Sequence, residues 1–228
     1  MKPTADQQFF LGEYLREYLA YRETYAEFYD HILTALEGYP ENISFYTALN
    51  NIIEEDFGGL GNIPVIEARY QQETLVEMKK RYWNYLMECL KFPSISIFII
   101  SSIIIYWFVK QAWFNFSLFF WIAIAMSLFQ SILNNIRYIR LGYIVCFGYV
   151  FGNSKRSVKD TGFTWLKYSI VPLIILFAAF QHIFANDIST DWFKKAGPIV
   201  LTMIFTAYTI HAAAYYKIYR DEFKISIV

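Results

Sequence analysis

The sequence predicts an all-α, polytopic membrane protein, with four transmembrane helices behind an N-terminal soluble helical domain. Two observations lead to this fold class. Four apolar stretches of 18 to 22 residues follow residue 91, and a helix needs about 20 apolar residues to cross a bilayer core. Residues 1–91, in contrast, carry the amphipathic patterns of water-soluble helices. The predicted spans are residues 92–109, 112–133, 165–185 and 196–216.

The predicted head, residues 1–91, is acidic. It contains 15 Asp and Glu against 8 Lys and Arg, so its net charge is −7 and the remainder of the chain carries +7. The neutral total charge hides this asymmetry. Nucleic acid is not expected as a partner of the head, because binding phosphate requires a positive surface.

Four helices are predicted in the head. Gly38 ends the second helix, and Ser44 is a favourable N-cap for the third, which ends at Gly58. The fourth begins near Pro64 and continues to the membrane as a stalk, where Pro93 separates it from the first span. The expected ranges of the first three helices are 6–20, 22–37 and 45–57.

The distribution of basic residues predicts which side of the membrane each segment occupies. Lys and Arg collect on the cytoplasmic side of membrane spans. With the four basic residues at the membrane-proximal end of the head and Lys167 at the start of the third span included, alternate segments carry 13 basic residues on one side and 3 on the other. We therefore expect an inner (plasma) membrane protein with both termini in the cytoplasm.

The predicted cytoplasmic loop, residues 134–164, contains a short apolar run, Leu141–Phe151. Its 11 residues are too few for a helical span. We expect an interfacial or re-entrant segment, because a fifth span would move the tail outward and place the basic residues 155–159 on the wrong side.

Two basic clusters flank the predicted spans. One precedes the first span and the other lies in the cytoplasmic loop, where both are positioned to contact anionic lipid headgroups. The residues are Lys79, Lys80, Arg81, Lys155, Arg156 and Lys159. An acidic run, Glu54 to Asp56, lies at a helix C-terminus and opposes the helix dipole. It is either a solvated turn or is neutralised by a cation or a basic partner such as Lys79–Arg81.

A polar face is predicted on the fourth span. Thr202, Thr206 and Thr209 recur at i, i+4 and i+7, so they share one side of a helix. Such a face lines a polar cavity or, more often, hydrogen-bonds to neighbouring helices and to its own backbone. His182 and His211 are predicted at opposite ends of their spans, too far apart to share a metal.

The residues predict no catalytic, cofactor or metal site. The chain has no phosphate-binding loop, nucleophile elbow, zinc motif or kinase signature. Its two cysteines, Cys89 and Cys146, have neither disulfide nor metal spacing, so both are expected to be unpaired apolar residues. Enzymatic activity is not expected.

The head resembles the HAAS-type cytoplasmic domain of bacterial membrane proteins. The matching patterns are the helical segment Phe10–Tyr21, FYDHILTALE at Phe28–Glu37, and SFYTALNNIIEEDFGGLGNI at Ser44–Ile63. Proteins of this family often accompany PadR-type transcription regulators. The resemblance therefore implies a role in membrane signalling or envelope-stress regulation, and it provides no catalytic residues.

Three functional hypotheses follow. The leading one is a signalling or regulatory membrane protein whose head binds a cytosolic regulatory protein at residues 1–91. A transport or permease-accessory subunit that uses the threonine face is the second, and a membrane-disrupting effector gated by the head is the third. The expected partners are the lipid bilayer, a cytosolic protein and, as a further option, copies of the same chain.

Overall fold

The computed structural model of the chain describes residues 1–111, 116–146, 149–152, 155–168 and 190–225. These ranges are mostly helical, which confirms the all-α class. In chain order the elements are α1 (Ala5–Tyr18), α2 (Arg22–Glu37), α3 (Phe45–Phe57), a 3₁₀ turn (Leu60–Asn62), α4 (Ile63–Cys89), α5 (Ser94–Val109), α6 (Phe116–Arg140), β1 (Tyr143–Cys146), β2 (Tyr149–Gly152), α7 (Asp160–Tyr168) and α8 (Thr190–Ile225).

The contacts divide the chain into two compact units. Unit 1 contains Met1–Val76 and Asn135–Thr161, and unit 2 contains Glu77–Asn134 and Gly162–Val228. Residues 1–76 of the predicted head therefore share a unit with residues 135–161 of the predicted cytoplasmic loop, and residues 77–91 of the head belong to unit 2. Helices α4, α6 and α7 each contain residues of both units.

Helices α2 and α3 begin and end at the residues that the sequence suggested, whereas α1 ends at Tyr18, two residues before the predicted end. Thr4 forms a capping box with Gln7 at the start of α1, and the Ser44 hydroxyl accepts a hydrogen bond from the Thr47 amide at 3.2 Å. Gly58 ends α3 with a φ of 70°, in the left-handed region that glycine occupies without a steric cost. The predicted N-cap and helix end are confirmed.

The core of unit 1 is formed by the apolar stripes of α1, α2 and α3. Each stripe repeats at three- and four-residue spacing, so its side chains lie on one face of the helix. The most deeply buried members are Leu11, Leu15, Ile32, Leu36 and Ala48, each 0% exposed, and Ile63 at the start of α4 joins them, also 0% exposed. Burial of one Leu or Ile side chain contributes about 1.5–3 kcal/mol.

The apolar run at Leu141–Phe151 forms a structure that the sequence analysis did not predict. Strands β1 and β2 pair antiparallel, with Tyr143 opposite Gly152 and Cys146 opposite Tyr149. A transmembrane strand needs about 9–11 residues, and each of these strands has 4. The described residues of the run therefore form a short antiparallel strand pair in unit 1, and residues 147–148 lie outside the described part of the chain.

Unit 2 has two apolar clusters. In the larger, Met78 and Tyr82 of α4 pack with Phe163 and Leu166 of α7 and with Tyr215 of α8. In the smaller, Val109 of α5 packs against Leu201 and Phe205 of α8. Helices α4 and α5 are separated at Pro93, as predicted, and they are bent by 72° at this break.

One described helix segment is long and apolar enough to cross a bilayer. This is Gly197–Glu222 of α8, which has 26 residues and a mean hydropathy of 1.4, and it overlaps the fourth predicted span. A second candidate arises only if α4 and α5 are counted as one broken span. Among the described ranges, four transmembrane helices are not supported.

The other predicted spans have different outcomes. The first, 92–109, corresponds to α5, which has only 16 residues. The second, 112–133, is helical from residue 116 onward, in α6. Residues 169–185 of the third predicted span lie outside the described part of the chain, and residues 165–168 form the end of α7.

Candidate functional site

Unit 1 contains a buried ion pair between Arg137 and Asp160. Arg137 is in the last turn of α6 and Asp160 is the first residue of α7. Their side chains are 8% and 0% exposed, and the guanidinium Nη1 donates to Asp160 Oδ1. A carboxylate at a helix N-terminus is favoured by the helix dipole, and removing one partner of a buried pair costs about 3–5 kcal/mol.

The ion pair extends into a continuous hydrogen-bonded network. Tyr143 of β1 donates its hydroxyl to Asp160 Oδ2 at 2.6 Å and accepts from the Ser157 amide at 3.2 Å. Ser157 Oγ accepts from Arg137 Nη2 at 3.2 Å and donates to Glu23 Oε1 at 2.6 Å. We call these five residues the loop–helix network, because they connect the segment 135–161 with α2.

Glu23 is the point at which the network reaches α2. Its second carboxylate oxygen accepts from the backbone amide of Val158 at 2.9 Å, so both oxygens of Glu23 bind the segment that follows β2. An acidic residue in the first turn of a helix is also stabilised by the helix dipole. The same carboxylate therefore serves α2 and the loop.

A second buried acid, Glu67, caps α2 from a neighbouring helix. It lies on α4, is only 6% exposed, and accepts from the backbone amides of Ala20 at 2.9 Å and Tyr21 at 3.0 Å. The hydroxyl of Thr24 also donates to it. These donors surround the start of α2, where unpaired amides need acceptors.

Lys155 performs the complementary task at the end of α1. Its ammonium group donates to the carbonyl oxygen of Arg16 at 2.8 Å and to that of Leu19. A cation at a helix C-terminus is favourable. Lys155 therefore binds carbonyls at the end of α1, and Glu67 binds amides just before α2. Both charged groups act on the junction of these two helices.

Burial shifts the pKa values of Tyr143 and Lys155, and in each case it disfavours the charged form. Burial raises the pKa of Tyr143 above its usual range, and the adjacent Asp160 carboxylate adds to this increase. Burial also lowers the pKa of Lys155, which the negative charge of Glu67 opposes. The loop–helix network therefore has a structural role, because it connects the segment 135–161 with α2. In the described residues no group of three His, Cys, Asp or Glu side chains is arranged to hold a metal.

The basic residues predicted to contact lipid have varied surroundings. Lys79 lies over the ring of Trp165 with its Nζ 5.0 Å from the centroid, and Arg81 pairs with Glu77 and, at 3.4 Å, with Glu222. Arg156 lies 3.7 Å from Asp160. Lys155 is committed to the α1 carbonyls, whereas Lys80 is exposed. Lipid contact at these residues stays a prediction, as it does at Lys159.

The threonine face makes hydrogen bonds within and between helices. Thr202 donates to the Pro198 carbonyl at 2.7 Å and Thr209 to the Thr206 carbonyl at 2.8 Å. The Thr206 hydroxyl lies 2.8 Å from that of Ser102 on α5. These are the bonds of a packed helix pair, one of the two roles that the sequence analysis left open.

His211 and His31 each have a polar side-chain neighbour that the sequence did not predict. His211 Nδ1 lies 2.8 Å from the Tyr82 hydroxyl in the interior of unit 2. The second pair is on the surface, where His31 Nε2 lies 2.9 Å from Asp56 Oδ2. Asp56 belongs to the acidic run, so the basic neighbour of this run is His31. His182 lies outside the described residues.

Sequence reasoning missed Glu23, Glu67 and Asp160. The detectable signal was weak, because Glu23 is an ordinary first-turn acid and Asp160 follows a basic cluster. Glu67 gave the clearest signal, since it lies one residue after Ile66 and four after Ile63, on the apolar side of α4. An acid at such a position is buried only if donors are available.

No protein family, curated protein or solved structure matches this chain. The resemblance of the head to HAAS-type domains therefore rests on the residues quoted above, and the family stays a prediction.

Proposed function

We propose that this protein is a membrane-anchored regulatory protein whose N-terminal unit binds a cytosolic protein. The observation that carries the proposal is the composition of unit 1. Residues 135–161 lie in the chain between two apolar stretches, yet they are bound to α2 and α1 through Glu23, Lys155 and the loop–helix network. In this proposal unit 1 faces the cytoplasm. Its segment 135–161 is covalently continuous with apolar helices at both of its ends.

Exposed apolar side chains support the membrane anchor. Large apolar residues cover the outside of α5, where Ile97 is 67% exposed and Ile103 is 64% exposed, and Met203 of α8 is 66% exposed. Only 28% of the apolar stretch in α8 is buried within the protein. Such surfaces are found where a protein contacts lipid or another protein. We place the spans at the four apolar stretches, in the inner membrane, with both termini cytoplasmic.

The proposal gives the apolar helices and the head different roles. A change in the membrane-embedded helices reaches unit 1 through α4, α6 and α7, because each of these helices has residues in both units. The loop–helix network then determines how residues 135–161 hold α2. Two states of this network would be the switch, since a regulatory element needs two arrangements that a signal can bias.

A co-purification experiment tests this proposal. The tagged full-length chain is cross-linked in native membranes and extracted in mild detergent, and the co-purifying proteins are quantified by mass spectrometry. A soluble protein that is enriched with wild type and lost or gained with Glu23→Gln would support regulation through unit 1. Recovery of membrane proteins alone would favour the transport-accessory alternative, and recovery of neither would reject the proposal.

A further inference from the structure

An open groove lies along one face of α1 on unit 1, and its lining residues take no part in the loop–helix network. Its volume is about 450 Å³, and it is lined by Phe10, Glu13, Tyr14, Arg16 and Glu17. These positions repeat at three- and four-residue spacing, so they form a continuous strip along the helix. The strip lies beside the buried stripe of Leu11 and Leu15, which faces the core.

Aromatic rings are the apolar part of this groove. Phe10 stacks on Tyr14 with ring centroids 5.8 Å apart, and it meets the edge of Tyr46 of α3 at 5.3 Å. Tyr46 is 58% exposed and the adjoining Phe9 is 72% exposed. Aromatic side chains are enriched at protein interfaces, where they provide large contact area at low entropic cost.

Carboxylates are the polar part of the groove. Glu13 and Glu17 are exposed one helical turn apart, and Arg16 lies 3.0 Å from Glu13. Within the described residues Glu17 has no ion pair. Unit 1 as a whole has 14 acidic and 9 basic residues. Burial raises the pKa of Tyr14, and the neighbouring Tyr18 and Glu17 add to this increase.

We propose that the α1 groove binds an arginine-bearing amphipathic segment of a soluble protein. A guanidinium group stacks on aromatic rings and forms paired hydrogen bonds with a carboxylate, so it matches the alternation of Tyr14 with Glu13 and Glu17. An apolar side chain of the same segment would cover Phe9 and Phe10. This proposal rests on the regulatory function proposed above and specifies its docking surface.

The charge of the groove selects among other occupants. The lining carries Glu13 and Glu17 against Arg16, a net charge of −1, so anionic lipid headgroups and nucleic-acid phosphates are disfavoured. A second copy of the chain would oppose one acidic α1 surface to another across a two-fold axis. A basic peptide segment has the complementary charge and brings apolar side chains to the aromatic rings.

Fluorescence anisotropy with a synthetic probe tests this surface. The probe is a fluorescein-labelled, 14-residue amphipathic peptide with two arginines at i and i+4 and with leucine and phenylalanine on the same face. It is titrated with the full-length chain in detergent micelles. We expect Glu13→Gln/Glu17→Gln to weaken binding about tenfold, since each exposed charge pair contributes up to about a factor of five. Phe9→Ser should also weaken binding, by removing apolar contact.

A matched variant separates the groove from the overall charge of the protein. Glu27→Gln/Asp30→Asn removes two exposed acidic charges from α2, and its affinity should stay within twofold of wild type. Equal losses in both double variants would reject a specific groove. Binding of anionic vesicles or concentration-dependent self-association that is lost with Phe9→Ser, without peptide binding, would assign the surface to lipid or to a second copy instead.

The two proposals fail in different ways. If the soluble partner still co-purifies with the Glu13→Gln/Glu17→Gln variant, the regulatory function stands and the α1 groove is not the docking surface. If no soluble partner co-purifies with wild type while the peptide binds the groove, the groove exists and the proposed regulatory function is wrong.

Discussion

Single buried charges determine how the N-terminal unit is held together. Glu67, Lys155 and Asp160 each serve backbone or side-chain groups that would otherwise be buried without partners. Burying an unpaired polar group costs far more than a formed hydrogen bond contributes. The effects of changing these residues should therefore greatly exceed the effects of changing exposed acids.

Replacing Glu67 tests this expectation directly. Glu67→Ala leaves the amides of Ala20 and Tyr21 without their acceptor, whereas the hydroxyl of Thr24 keeps the Tyr21 carbonyl. We expect a loss of about 2–3 kcal/mol in the free energy of unfolding. Thermal unfolding in detergent measures this change, with Glu73→Ala, an exposed acid on the same helix, as control. Equal melting temperatures for the two variants would contradict the capping role.

Tyr143 predicts how stability depends on alkaline pH. Its pKa is raised in the folded protein, so the folded state holds its proton at pH values where the unfolded phenol, with a pKa of 10.0, loses it. The stabilisation that Tyr143 contributes is therefore complete below pH 10. It is lost as the pH rises from 10 through the raised pKa of the folded state. The melting temperature of wild type should fall more steeply above pH 10 than that of Tyr143→Phe.

The size of this difference is bounded by the release of one proton. One proton corresponds to about 1.4 kcal/mol per pH unit. Lys155 acts in the opposite direction, because its lowered pKa makes stability rise with pH. The comparison of Tyr143→Phe with wild type cancels this contribution. An unchanged slope above pH 10 in Tyr143→Phe would be inconsistent with a buried, protonated phenol, and Tyr46→Phe is the exposed control.

At the scale of elements, close packing between α4 and α7 depends on Gly162. A Cβ atom at this position would lie 2.3 Å from Met78 Sδ and 2.9 Å from Met78 Cε. Overpacking of this kind costs about 1–3 kcal/mol, and the flexible methionine side chain favours the lower half of that range. Gly162→Ala should therefore lower the melting temperature measurably in detergent.

Two further variants test the cause. Gly61→Ala introduces the same atom where no other atom lies within 4 Å, so it should be nearly neutral by comparison. Because Gly162 and Met78 are in contact, their effects should not be additive. The double variant Gly162→Ala/Met78→Ala shortens the neighbouring side chain. Its loss of stability should be smaller than the sum of the losses in the two single variants. An additive result would place the cause of the loss elsewhere.

Helix ends were predictable because they depend on local chemistry. The range of α2, the N-cap at Ser44 and the end of α3 at Gly58 are set by residues within four positions of each other. The network around Asp160 depends on pairs separated by longer stretches of chain. The pairing of β1 with β2 is local, but a short apolar run does not by itself distinguish a strand from other buried structure. Hydrophobic periodicity identifies a buried face but not which element covers it, so these features were missed.

At the scale of the whole molecule, the sequence predicted helical content better than the number of spans. The predicted span 196–216 falls within the long apolar part of α8. The predicted span 92–109 coincides with α5 and is shorter than the length that a bilayer usually requires. An apolar composition indicates that a helix is buried away from water. Whether the helix crosses a membrane also depends on its length and on the helices beside it.

Cysteine labelling tests the predicted sidedness. In a background with Cys89→Ala and Cys146→Ala, the variants Gly61→Cys and Lys224→Cys provide one thiol each. A membrane-impermeant maleimide should label both in inside-out vesicles and neither in intact cells, because the basic residues favour a cytoplasmic location for both termini. Labelling of only one of the two positions in inside-out vesicles would require an odd number of spans.

The discontinuous composition of unit 1 has a consequence for biosynthesis. Residues 1–76 leave the ribosome long before residues 135–161, and at 5–20 residues per second the 85 residues between positions 76 and 161 take roughly 4–17 s to synthesise. During that interval Glu23 lacks Ser157 and Val158, and the end of α1 lacks Lys155. The N-terminal unit therefore reaches its final set of contacts only after the intervening residues 77–134 and the returning segment 135–161 have been synthesised.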